Sequence, residues 1–223
     1  MSIYIKFENV CKSFRHEEVL KHVNFELKKG QIYGFVGRNG SGKTVIFKMI
    51  TGLMRPSSGQ IFLEEVNMTH SKQFPKSIGA LIETPGFISH YSGLKNLKIL
   101  NGLSEKPVSL EELKESMRLV GLDPDNKEPV RTYSLGMKQK LGIAQAVMNK
   151  PDLLILDEPM NGLDEESVKR MRHFFKTLKE EHGVTILLAS HNKEDIQILC
   201  DELFYIADGT LRAQKEMQAG VSA

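Results

Sequence analysis

The chain has 223 residues, 40% hydrophobic and 26% charged, enough to bury a sizeable core as one globular unit with subdomains. A net charge of +2 gives no strongly basic field, which argues against a dedicated nucleic-acid binder, so no nucleic-acid partner is expected. No run approaches about 18 apolar residues, and the start, MSIYIKFENV, has no basic segment followed by an apolar one, so the expectation is a chain neither secreted nor membrane-spanning.

In chain order, IYIKFENV, VNFEL and IYGFVG read as short β segments, and Cys11 and Cys200, far apart and matching no metal or redox spacing, read as small reduced core residues. GRNGSGKT follows at residues 37 to 44, then a helix-like KTVIFKMITGL, and RPSSGQI reads as a turn. From about 83 to 147 the pattern is mostly helical. SLEELKESMRLVGL is its clearest case: Ser109 can cap, Glu112 stands three residues on, and Leu113, Met117 and Val120 recur at helical spacing before Gly121. DLLILDEP and VTILLAS are compact apolar strands separated by a helix-like EESVKRMRHFFKTLKEEHG, the pattern of a parallel sheet with crossover helices. The tail after Leu211, RAQKEMQAGVSA, reads as weakly structured.

The stretch from Gly37 to Thr44 places bare backbone between a strand and a helix. Glycines there let N–H groups of Gly37, Arg38, Asn39, Gly40, Ser41 and Gly42 turn inward around phosphate oxygens, and the following helix offers its unpaired donors and positive dipole end to the same anion. Lys43 is placed to neutralise β- and γ-phosphates and Thr44 to ligate Mg²⁺. At the end of LLILDEP, Asp157 can hold Mg²⁺, while Glu158 can accept a hydrogen bond from attacking water as general base. Beyond the next strand His191 can reach the γ-phosphate, although a lone strand-end histidine is more often surface or core filler.

Read together, GRNGSGKT, YSLGMKQK at 133 to 140, LLILDEP, NGLD at 161 to 164 and SH at 190 and 191 resemble the nucleotide-binding subunit of an ABC transporter. The resemblance runs over essentially the whole chain and implies an α/β fold. Its parts are a P-loop NTPase (RecA-like) core with a mainly parallel sheet (about 1–82 and 148–223), an N-terminal antiparallel β subdomain and an inserted α-helical subdomain (about 83–147). YSLGMKQK stands at the family's LSGGQ signature: Ser134 and Gly136 match, whereas Leu135 and Met137 depart. Ser134 is expected to cap the helix LGMKQKLGIAQAVMNK, and that helix end forms a second anion site.

The resemblance further implies a homodimer or pseudo-symmetric dimer in which Ser134 and Gly136 of one subunit serve the ATP held by the other. It places Phe14 against adenine, Asp164 at the dimer seam, and the chain as a cytoplasmic subunit peripheral to the inner face of the membrane, beside separate transmembrane permease subunits. In IGALIETPGF, Glu83 replaces the family's usual Gln, a Mg²⁺ contact, and a carboxylate there can still ligate the metal while adding negative charge near the phosphates. YSLGMKQ with IGALIETPGF resembles a narrower bacterial group, the ATPases of lantibiotic-immunity and bacitracin-resistance exporters. A soluble ABC ATPase acting on DNA or ribosomes shares the nucleotide motifs but typically carries a coiled-coil insertion or a second ATPase unit. A small-molecule kinase has no use for YSLGMKQK and SH.

Overall fold

The computed structural model describes residues 3–15, 17–69 and 77–215. The chain opens with β1 (Ile3–Phe14), β2 (Glu17–Lys28), β3 (Ile32–Val36), α1 (Lys43–Ile50), β4 (Ser58–Leu63), β5 (Val66–Asn67) and β6 (Ile78–Leu81). Three helices follow, α2 (Gly93–Asn101), α3 (Leu110–Leu119) and α4 (Leu135–Val147). It closes with β7 (Leu153–Asp157), α5 (Glu165–His182), β8 (Thr185–Ala189), α6 (Lys193–Leu199), β9 (Glu202–Ala207) and β10 (Thr210–Ala213).

The strands form two sheets. One is antiparallel, ordered β2-β1-β4-β5. The other is ordered β10-β9-β3-β8-β7-β6 and is parallel throughout except for β10 against β9. In the parallel sheet β3, β6, β7 and β8 all point their carboxyl ends the same way, so the residues after them emerge along one edge. This is where open α/β sheets hold ligands.

Alternation along these strands feeds a separate core on each face. Ile32, Leu154, Leu156, Ile186 and Leu188 pack towards α3, α4, α5 and α6. Tyr33, Phe35, Leu153, Ile155, Leu187 and Ala189 pack towards α1 and the antiparallel sheet. There Phe35 meets Phe47 of α1 edge-on, with centroids 5.3 Å apart, and lies nearly parallel to Phe204 at 5.4 Å. Cys11 is buried, and burial pushes the Cys200 thiol up to about 12.

Local capping sets the helix starts. Ser109 Oγ accepts from the Glu112 N–H while Glu112 returns a bond to the Ser109 N–H, the reciprocal box expected from SLEE. The expected turn at RPSSGQI is shorter than its sequence implies, because β4 begins at Ser58. Ile61 is the one buried residue of β4, so no two-residue periodicity marks the strand. Part of the tail after Leu211 is ordered too, as β10 pairs Leu211 with Ile206 and Ala213 with Phe204. Residues 216–223 lie outside the described residues.

β6 meets α4 at very short range. A Cβ added to Gly79 stands 1.8 Å from the carbonyl oxygen of Ala146, backbone that cannot swing aside. Gly79→Ala is therefore expected to cost about 3 kcal/mol, the upper range for overpacking a tight core, read as a lowered urea midpoint with an unchanged slope.

Candidate functional site

The loop from Gly37 to Gly42 is built around its own lysine. The Lys43 side chain is 6% exposed, and its ammonium donates to the carbonyls of Gly37 at 2.7 Å and Arg38 at 3.1 Å. Gly42, the residue before α1, has φ 107°, which a residue with a side chain rarely adopts, and a Cβ there meets Leu20 Cδ2 at 2.7 Å. The loop thus curls tightly enough to bring the Lys43 stem back over its entrance while the first amides of α1 stay free of intrahelical partners.

Opposite the loop stand the residues after β7. Thr44 Oγ1 donates to Asp157 Oδ2 at 2.6 Å, joining the start of α1 to the end of a strand 113 residues away. Glu158 adopts the left-handed backbone, φ 52°, a strained choice for a residue with a side chain. Two bonds hold it there: its N–H donates to the Ala189 carbonyl at 2.9 Å, and its carbonyl accepts from Gln139 Nε2 at 3.0 Å. Its Oε2 accepts from the His191 N–H at 3.2 Å. His191 Nε2 stands 3.1 Å from Oε1, an ion pair when the imidazole is protonated, and Oε1 is buried without a hydrogen bond. Burial raises the Glu158 carboxyl above its ordinary 4.5, a shift opposed by the His191 N–H and the charge of Lys43.

Among the described residues, only two buried side-chain polar atoms lack a hydrogen-bond partner, Ser41 Oγ and Glu158 Oε1. One belongs to the phosphate loop and the other to the expected general base. Buried polar groups are rarely left bare, and these two can take the oxygen of a phosphate and the O–H of a water. Thr44 and Asp157 together present hard oxygen donors of the kind Mg²⁺ selects. Among the described residues no cluster of three or more His, Cys, Asp and Glu could hold a metal unaided. The pair therefore suits an ion that arrives with phosphate oxygens of its own.

These residues open onto a cleft of about 520 Å³ that brings together Asn39, Gly40, Gly42, Lys43, Thr44, Glu83, Asp157 and Glu158, with Leu135, Lys138 and Gln139 of α4. Glu83, expected as a metal contact, lines the cleft with its carboxylate on Lys48 Nζ at 2.6 Å. Ser134 caps α4 by accepting from the Met137 N–H, and Gly136 has no room for a Cβ, which lies 2.6 Å from the Gly162 carbonyl. Asp164 caps α5 through the Ser167 N–H and hydroxyl, which hold its carboxyl below the usual range. Phe14 is 43% exposed with Lys12 over its ring, and it is not part of the cleft wall.

A family model described as ABC transporter matches residues 20–161. The chain belongs to the ABC transporter family. It is 40% identical over 215 residues to the bacitracin transport ATP-binding protein BcrA of Bacillus licheniformis, covering 95% of this chain and 69% of that protein. It is 37% identical over 215 residues to the lantibiotic transport ATP-binding protein SrtF of Streptococcus pyogenes, covering 95% and 90%. The fold matches the dimeric post-hydrolysis structure of the ATP-binding cassette MJ0796 bound to ADP and Pi, with a TM-score of 0.85, 22% identity and coverage of 94% and 97%. This ABC chain is thus an ATP-binding and ATP-hydrolysing transporter subunit. Among its described residues no helix is long and apolar enough to cross a membrane.

Several residues of the ABC site act only through space. Gln139 lies on the buried face of α4 and fixes the Glu158 carbonyl. Arg172 of α5 donates from Nε and Nη2 to Asp195 Oδ1, at 2.8 and 2.6 Å. Asp195, 0% exposed, accepts from Ser190 Oγ, which in turn accepts from the Asn192 N–H. The turn carrying His191 is thereby clamped on both sides.

Arg172→Leu leaves the Asp195 carboxylate buried without its cation. The expected cost is about 3 kcal/mol, the low end for breaking a buried pair, and is read from urea unfolding beside the parent chain.

Proposed function

We propose that this chain powers export of a peptide antibiotic or similar hydrophobic compound, working as a dimer on separate membrane subunits at the inner face of the cell membrane. The chemistry is carried by two buried atoms without a hydrogen bond, Ser41 Oγ in the loop and Glu158 Oε1 beside His191, which suit a bound phosphate and its attacking water. The substrate class rests on the likeness to bacitracin and lantibiotic transport ATP-binding proteins along nearly the whole chain.

In this reading the amides of residues 37–42 and the Lys43 ammonium take the β- and γ-phosphates. Thr44 and Asp157 would hold Mg²⁺, which would supply charge neutralisation to the phosphates. Glu158 takes the proton of the attacking water through Oε1, the atom left without a donor, and His191 steadies the γ-phosphate. The exposed ring of Phe14 offers adenine a stacking face. Ser134 and Gly136, at the start of α4, close over the ATP of the second subunit, and Asp164 lies along the seam between the two. Residues 83–147 carry that signature as a unit. Binding draws the dimer shut, and hydrolysis lets it part.

Lys43→Ala is expected to weaken ATP binding at least a hundredfold, about 2.7 kcal/mol, by calorimetry with Mg·ATP. The parent chain showing no saturable binding at millimolar nucleotide sinks the proposal.

Glu158→Gln is expected to keep ATP affinity, lose roughly 10²- to 10⁴-fold in turnover, and persist as an ATP-bound dimer in size-exclusion chromatography. A base works only when deprotonated, and burial raises this one, so turnover in the parent rises with pH through an acid limb above 4.5. Hydrolysis by the Gln variant at the parental rate removes Glu158 from the role.

A further inference from the structure

Helix α1 presents two polar side chains one turn apart on the same face, Thr44 and Lys48. Each is bonded to an acid delivered by the carboxyl end of a strand. Thr44 Oγ1 lies 2.6 Å from Asp157 Oδ2 at the end of β7, and Lys48 Nζ lies 2.6 Å from Glu83 Oε1 just after β6. β6 and β7 are parallel neighbours, with Leu81 opposite Leu156, so both acids leave the sheet side by side. The phosphate helix is therefore fastened to the sheet edge by two rungs, one hydroxyl-to-acid and one ammonium-to-acid.

The second rung has an electrostatic consequence. Three carboxylates line the cleft, Glu83, Asp157 and Glu158, against two ammonium groups, Lys43 and Lys138. Mg·ATP brings further net negative charge, and like charges gathered in one cleft weaken binding. Lys48 removes one carboxylate from that balance. It also fixes where that carboxylate points, since among the described residues no other hydrogen bond or ion pair holds the Glu83 side chain. The Lys48 stem is three-quarters shielded while the Glu83 side chain is 61% exposed, so the pair stands at the cleft rim, where salt screens it.

We propose that Lys48 is a positioning residue for nucleotide binding, holding the Glu83 carboxylate on the second turn of α1 and cancelling its charge so that the cleft accepts a triphosphate. The proposal rests on the ATP-binding reading of the cleft. It predicts that the two side chains are coupled: the harm of losing Lys48 comes from the acid it leaves behind.

The test is Mg·ATP affinity, by calorimetry on the full chain, for the parent, Lys48→Met, Glu83→Gln, the double variant and Lys48→Arg. Lys48→Met is expected to weaken binding about tenfold, and less so at high salt, where the freed charge is screened. Glu83→Gln, which removes the acid itself, is expected to bind Mg·ATP about threefold more tightly than the parent, Lys48→Arg to keep the pair and stay within about threefold, and the double variant to recover the parental range. Lys48→Gln repeats the charge removal should the methionine variant not fold, with thermal midpoints measured for each. Parental affinity in Lys48→Met overturns the proposal. So does a double variant as weak as Lys48→Met, which assigns the lysine to the phosphates or to packing instead. Absence of saturable binding in the parent fails the ATP reading itself, and is distinguishable because it does not depend on any substitution at 48 or 83.

Discussion

A lysine ammonium taken out of water must be surrounded by oxygen, and most of this site follows from meeting that demand at Lys43. The carbonyls of Gly37 and Arg38 meet it from within the loop, which forces the chain into a tight curl and leaves no room for a side chain at Gly37 or Gly42. A curl of that kind leaves the first amides of α1 unpaired and facing the same space as the ammonium. Positive character is concentrated there before any ligand arrives. The phosphate needs only to exchange places with two weakly basic carbonyl contacts.

The opposite wall answers with negative and strained groups. Parallel pairing of β6, β7 and β8 sets Glu83, Asp157, Glu158 and His191 along one edge, because every strand ends at the same level. Two of these, Glu83 and Glu158, occupy the left-handed region, where each costs on the order of 1–3 kcal/mol. The surrounding bonds sustain that strain: Ala189 and Gln139 hold the Glu158 backbone, and Lys48 holds the Glu83 side chain. The Arg172 and Asp195 pair does similar service for the turn at His191. Stability is spent at the sheet edge to keep reactive groups aimed.

What could be read from the sequence was whatever is local. Gly37 to Thr44, Asp157 and Glu158 announce themselves because strand, turn and chemistry fall within a few residues, the Ser109 and Glu112 box is similarly short in range, and His191 stands out only through the family resemblance. Lys48, Gln139, Arg172 and Asp195 were invisible for the converse reason. Their partners lie 35, 19 and 23 residues away, and nothing in the sequence says which buried polar residue meets which. β4 is hidden in the sequence because a half-buried strand with one buried residue, Ile61, carries no alternation to detect. The chemistry of Glu83 and its place in the cleft are legible in the sequence, whereas its ion pair with Lys48, 35 residues away, is not.

The close approach of Gly79 to Ala146 constrains motion as well as packing. With strand backbone against helix backbone, α4 cannot slide along β6, so any reorientation has to swing about that spot. Ala146 sits near one end of the helix and Ser134 beyond the other, about 18 Å away at 1.5 Å per residue. A turn of 10° about such a fulcrum sweeps the signature serine through about 3 Å, roughly the span between touching a phosphate and standing clear of it. A single missing methyl thus makes the helix a lever rather than a slide.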